Sequence, residues 1–221
     1  MGPTPPPRAG EAGRGRGSAL AVKKHKLRIR GPAGAIETVI EEPAGDPRGL
    51  ALVAHPHPLR GGSLDNKVAW TLARAALTCG LVAIRPNFRG VGNSEGEFDH
   101  GVGETEDLLA VARAAEAHYG TLPWTLMGFS FGAYVQQRVA KSMHAQRLIM
   151  VGPAVSMYEF EPTSMPSTII HGDQDEVIPF AAARDYASAH DIPLIVVEGC
   201  GHFFHGRLRE LQSHVEALCH P

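Results

Sequence analysis

From residue 49 onward the chain alternates between two kinds of segment. Short, mostly apolar runs stand at 49–54, 80–85, 123–127, 147–151, 168–171 and 193–198. Their apolar residues fall at consecutive positions, as strands buried on both faces require. Between them lie 65–78, 105–119, 131–142, 180–189 and 206–218, with helical spacing. Asp65 is the expected N-cap of the first of these helices, and Gly80 and Gly120 follow as stops. Strand then helix, repeated, predicts an α/β fold with a mostly parallel central sheet and helices on both faces. Upstream, 24–30 and 35–41 flank the turn Gly31-Pro32-Ala33-Gly34 and read as an antiparallel hairpin.

A chain of 221 residues is sized for one domain. Residues 1–21, rich in Pro, Gly, Ala and Arg, cannot bury a face and are expected to form a disordered basic leader, with a single domain over 22–221. Residues 1–30 hold eight Lys/Arg against one acid, Glu11, so the body is mildly acidic. That argues against a nucleic-acid-binding face. No apolar run approaches ~18 residues and no apolar core follows the first residues, so neither a membrane partner nor a secretory signal is expected. The three cysteines, 79, 200 and 219, match no zinc spacing and suggest no disulfide framework. They read as free thiols, and a cytoplasmic location is expected. Nothing in the sequence specifies an oligomeric state.

In such a sheet, chemistry gathers at the carboxyl ends of the strands. The strand at 123–127 runs into Gly128-Phe129-Ser130-Phe131-Gly132, which has the form of a nucleophile elbow, G-x-S-x-G. A serine at the tip of a strand-to-helix turn needs small residues two places either side, because the two backbones crowd there. Two strands later comes His171-Gly172-Asp173-Gln174-Asp175, and after the last strand Gly199-Cys200-Gly201-His202. Serine, acid and histidine therefore follow in that order, each at a strand end, as a serine hydrolase of this fold requires.

Together these segments resemble the α/β-hydrolase superfamily over roughly residues 24–219. Within it, His55-Pro56-His57-Pro58-Leu59-Arg60-Gly61-Gly62-Ser63-Leu64-Asp65-Asn66-Lys67 resembles a small lidless hydrolase group marked by H-P-H-P and G-G-x-x-D-N-K. Asn87-Phe88-Arg89-Gly90-Val91-Gly92 agrees with that group. The resemblance implies a serine hydrolase cleaving small carboxylic esters or thioesters through an acyl-enzyme, with a small-molecule acyl ester as substrate and no cofactor. Ser130 would be the nucleophile and His202 the base. Asp175 would be the acid, since the pattern H-G-x-x-D-x-x-[V/I]-P places it three residues after Gly172; Asp173 competes. The oxyanion hole would use the backbone N–H of Phe131 and one from the loop after the third strand. Prolines have no N–H, so His57 is the first choice there and Leu59 the second.

Other readings compete. His55-x-His57 on an extended segment puts both rings on one face, and with Asp173, Asp175, His202 and His205 it could serve a metal-dependent hydrolase. His55 as a buried loop-fixing residue is the plainer reading. Arg89 could bind an anionic group or tie loops together. A non-enzymatic binding or scaffold protein on the same fold is the alternative from another class; it would be free to lose Ser, Asp or His. The connection at 152–167 is too short for an independent cap, and Met157, Tyr158, Phe160 and Met165 in it could wall an acyl pocket.

Overall fold

A computed structural model of the chain describes residues 23–219; the expected leader lies outside them. Among the described residues eight strands form one sheet: β1 (Lys23–Gly31), β2 (Gly34–Glu42), β3 (Gly49–Ala54), β4 (Leu81–Pro86), β5 (Trp124–Phe129), β6 (Arg147–Val151), β7 (Ser167–Gly172) and β8 (Leu194–Val197). The order across the sheet is β1-β2-β4-β3-β5-β6-β7-β8. The β1–β2 hairpin closes at Gly31–Gly34 and β2 runs antiparallel to β4. Every other pairing is parallel. This is the α/β-hydrolase architecture, and the fold expected from the alternating pattern.

Among the described residues five α-helices cover the sheet: α1 (Lys67–Thr78), α2 (Val102–Tyr119), α3 (Phe131–Val139), α4 (Phe180–Ala189) and α5 (Leu208–Cys219). In β3, Leu50, Leu52 and Ala54 point to one core and Ala51 and Val53 to the other. The period of two along a strand makes this division unavoidable. The first core is roofed by α2, α3 and α4, the second by α1 and α5. A strand buried on both faces must be apolar at every position, which is why its sequence reads as an unbroken run.

Helix boundaries move from the expected ones for identifiable reasons. Asn66, not Asp65, caps α1: its Oδ1 accepts from the N–H groups of Val68 and Ala69 at 2.9 and 3.3 Å. Helix α2 starts at Val102 rather than 105, because the Glu104 carboxylate accepts from the N–H groups of Gly101 and Asp99. Helix α3 ends at Val139 rather than 142, and α5 starts at Leu208 rather than 206. Residues 152–166, which join β6 to β7, contain no helix or strand, so among the described residues no cap domain stands over the sheet.

The loop after β3 is held to the rest of the sheet by buried polar bonds. Arg85 on β4 donates from Nη1 to Leu64 O at 2.6 Å and from Nη2 to Glu41 Oε2 on β2 at 2.8 Å. Asn87 Oδ1 accepts from Leu64 N–H at 2.7 Å. Arg85 is 1 % exposed and Glu41 7 %, so removing one partner strands the other charge in the core. Glu41→Ala is expected to lower the unfolding free energy by about 3–5 kcal/mol in urea titrations. A loss under about 1 kcal/mol would show that water relieves the stranded guanidinium.

Candidate active site

At the end of β5 the backbone turns sharply into α3, and Ser130 sits in the turn at φ 56°, ψ −115°. That region is sparsely populated by L-residues and costs about 1–3 kcal/mol. Tertiary contacts impose it. Ser130 N–H donates to Val151 O on β6 at 2.9 Å. A Cβ on Gly128 would collide with the carbonyl of Gly132, and one on Gly132 with the carbonyls of Ala54 and His55. Strand, turn and the start of α3 therefore touch backbone to backbone, and only glycine fits at those two positions.

The loops after β7 and β8 bring two further side chains to Ser130. His202 Nε2 lies 3.1 Å from Ser130 Oγ, and its Nδ1 lies 2.7 Å from Asp175 Oδ2. With the Nδ1–H donating to the carboxylate, Nε2 is free to accept from the hydroxyl. The other oxygen of Asp175 accepts from the N–H groups of Val177 and Ile178 at 2.8 and 2.7 Å. Burial alone would raise the Asp175 carboxyl; the bonds from His202 and these two amides outweigh it and hold the group below its ordinary value. Asp173 does not reach His202; its carboxylate accepts from Cys200 N–H at 3.3 Å. Cys200 is buried, and burial pushes its thiol up, which suits a packed side chain.

A cleft of about 530 Å³ opens above Ser130 and His202. The loop after β3, with its 3₁₀ turn Pro58–Arg60, forms one part of its lining, and Met157, Tyr158, Val177 and Phe203 form others. Phe160 instead packs in the core, and Met165 lines a separate hollow of about 510 Å³ near the starts of β6 and β7 that contains neither Ser130 nor His202. Behind the cleft Phe131 packs against His57 and Tyr158 at ring separations of 5.1 and 5.3 Å.

Among the backbone N–H groups that line this cleft without an acceptor among the described residues are those of Phe131, the first residue of α3, and of His57. The Leu59 N–H is engaged, since it donates to His57 Nδ1 at 3.2 Å. Gly62 lets the loop fold onto itself; a Cβ there would strike the carbonyl of Pro56.

His55 has both ring nitrogens committed. Nδ1–H donates to Pro56 O at 2.7 Å and Nε2 accepts from Phe88 N–H at 2.9 Å. The ring is a buried pin between the loops after β3 and β4. Among the described residues no group of three or more His, Cys, Asp or Glu side chains is placed to share a metal ion. Arg89 ties loops: its Nε and Nη2 grip the Asp107 carboxylate at 2.8 and 3.0 Å, and Nη2 also donates to Gly103 O. Three neighbours of the site were given no role by the sequence, although His171 opens the pattern that singles out Asp175. Glu176 accepts from His202 N–H at 3.2 Å. His171, fully buried, donates from Nε2 to Ile178 O and lies 3.4 Å from Asp175 Oδ2. Phe203 stands beside His202 at the mouth, 43 % exposed.

The same architecture occurs in known proteins. A serine hydrolase homologue of the α/β class from Coxiella burnetii is 42 % identical, with a TM-score of 0.83 over 88 % of this chain and 96 % of that one. A lidless α/β serine hydrolase from Xanthomonas campestris is 35 % identical, again with a TM-score of 0.83, over 88 % and 93 % of the two chains. An uncharacterised protein of Rickettsia prowazekii is 30 % identical over 85 % of each chain. No protein-family model matches the chain. The chain belongs to the α/β serine hydrolase family. No helix of the described residues is long and apolar enough to cross a membrane.

Burial holds His55 neutral and lowers its pKa to about 4 from 6.5. The folded protein then resists a proton that the unfolded chain accepts, so stability falls as pH drops through this window. The loss begins near 6.5, is complete near 4, and amounts to roughly 3 kcal/mol. His171, lowered by burial, acts in the same direction. Urea unfolding at pH 7, 5.5 and 4 should show the decline. His55→Asn should be less stable at pH 7 but decline less steeply; an equal slope in both proteins would remove His55 from the account.

Proposed function

We propose that this hydrolase cleaves small carboxylic esters or thioesters by way of an acyl-enzyme on Ser130. The observation that carries the reading is the relay Ser130 Oγ–His202 Nε2–Nδ1–Asp175 Oδ2, at 3.1 and 2.7 Å, at the floor of an open cleft. A serine hydroxyl is a weak nucleophile until a base takes its proton. As Oγ attacks the substrate carbonyl carbon, the proton passes to His202 Nε2, and Asp175 steadies the imidazolium that forms. The carbonyl π electrons move to oxygen, and the oxyanion is received by the N–H groups of Phe131 and His57. Collapse expels the alcohol or thiol, which takes the proton from Nε2. Water, activated by the same histidine, then attacks the acyl-serine and releases the acid.

The open cleft argues for compact substrates. Leu59, Met157 and Phe203 stand exposed, and no cap buries a long chain, so each CH₂ beyond the cleft should gain much less than the ~0.8 kcal/mol of full burial. Esters of short acyl chains are therefore the expected substrates, and kcat/KM toward p-nitrophenyl esters should peak at short chain lengths. A steady rise to long chains would show that the apolar rim closes over the substrate.

Ser130→Ala should lower ester turnover by on the order of 10⁶ with the fold intact, and abolish labelling by a fluorophosphonate. Asp175→Asn should cost about 10⁴, because the amide favours the wrong imidazole tautomer. Asp173→Asn should cost far less. Near-normal turnover in pure Ser130→Ala protein would end the serine mechanism.

A further inference from the structure

Arg60 closes the 3₁₀ turn after His57 and lines the same cleft as Ser130 and His202. Its side chain makes no hydrogen bond and no ion pair among the described residues. The arginines that hold this end of the fold together behave differently. Arg85 is paired with Glu41, Arg89 with Asp107, and Arg28 with Glu95. No Asp or Glu lines the cleft. Arg60 is therefore a cation at the rim of a hollow whose walls offer it no counter-charge. Its charge acts on two other lining residues, His57 and Tyr158, where the buried Glu104 carboxylate acts in the opposite sense.

A second donor lies in the same lining. Asn66 spends its Oδ1 on the first N–H groups of α1, so the amide's Nδ2 is its remaining polar group, and it has no acceptor among the described residues. Guanidinium and amide N–H both favour an anion. A planar guanidinium in particular matches the two oxygens of a carboxylate.

We infer that the substrate of this cleft is an ester or thioester that also carries a carboxylate, held by Arg60 with Asn66 while the carbonyl to be cleaved lies at Ser130. The inference rests on the hydrolase reading above and makes it more specific. The sequence offers Arg89 as an anion-binding candidate; that guanidinium is paired with Asp107 and also bonded to Gly103 O, whereas Arg60 has no partner among the described residues. A carboxylate on the acyl portion and one on the alcohol portion would meet the same donors, so the test carries both.

The experiment compares matched pairs. One pair puts the charge on the acyl side: mono-p-nitrophenyl glutarate against its methyl ester. The other puts it on the alcohol side: 4-acetoxybenzoate against methyl 4-acetoxybenzoate. The readout is the ratio of kcat/KM for the anionic and neutral members, in the wild type, Arg60→Gln and Arg60→Lys. Arg60 is exposed and unbonded, so these variants should fold. The wild type should favour the anionic member of at least one pair. Arg60→Gln should lower that ratio about five- to tenfold, mainly through KM, and Arg60→Lys should restore part of it. Added salt should shrink the ratio in the wild type and leave it nearly fixed in Arg60→Gln. Equal ratios in wild type and Arg60→Gln for both pairs would overturn the inference while leaving ester hydrolysis standing. Should no ester be turned over, the hydrolase reading fails and binding decides the rest. Monomethyl glutarate should then bind Ser130→Ala protein more tightly than dimethyl glutarate does, and lose that advantage when Arg60→Gln is added. No such advantage would overturn the anion site as well.

Discussion

The site depends on a backbone conformation that the chain would not adopt by itself. Ser130 stands at positive φ in a region few L-residues visit, and three contacts keep it there. Its N–H is tied to β6, Gly128 lies against the start of α3, and Gly132 lies against the end of β3. These contacts join β3, β5, β6 and α3 at one point. Moving the serine would therefore mean moving the middle of the sheet. A hydroxyl held this way needs little reorganisation before it reacts, which is the general advantage of a preorganised site.

Around that point the loops are fixed by buried polar groups as well as by apolar side chains such as Phe88 and Phe204. His55 bridges the loops after β3 and β4 through both ring nitrogens. Arg85 and Asn87 both reach Leu64. Two amides and His202 share the Asp175 carboxylate. Each such bond is worth little net, but leaving its buried groups unpaired is costly. Slack in these loops would leave several groups unsatisfied at once. The N–H groups of Phe131 and His57 are lining donors without an acceptor among the described residues.

The absence of a cap over residues 23–219 leaves the cleft open to water, so it can gain little by burying long apolar chains. On the proposed reading, selection among substrates would fall more to charge and to a few placed donors than to area. An arginine without a partner is informative in that setting. The same side chain on a flat, well-hydrated surface would say nothing.

The sequence by itself determined the class of fold, the order of Ser, Asp and His along the chain, and the need for glycine around Ser130. Those features are local. Apolar runs, helical spacing and a strained turn are written in neighbouring residues, so they can be read without knowing what lies across the sheet. Helix starts were less legible, because Asn66 and Asp65 compete for one cap and Glu104 reaches back to start α2 early. Only the tertiary structure decided which of Asp173 and Asp175 meets His202, whether Leu59 N–H is engaged, whether Arg89 is paired, and that Arg60 is not. Each of these turns on a contact between residues far apart in the chain, where a displacement of a few ångströms makes or breaks a hydrogen bond. No local pattern encodes a distance of that kind.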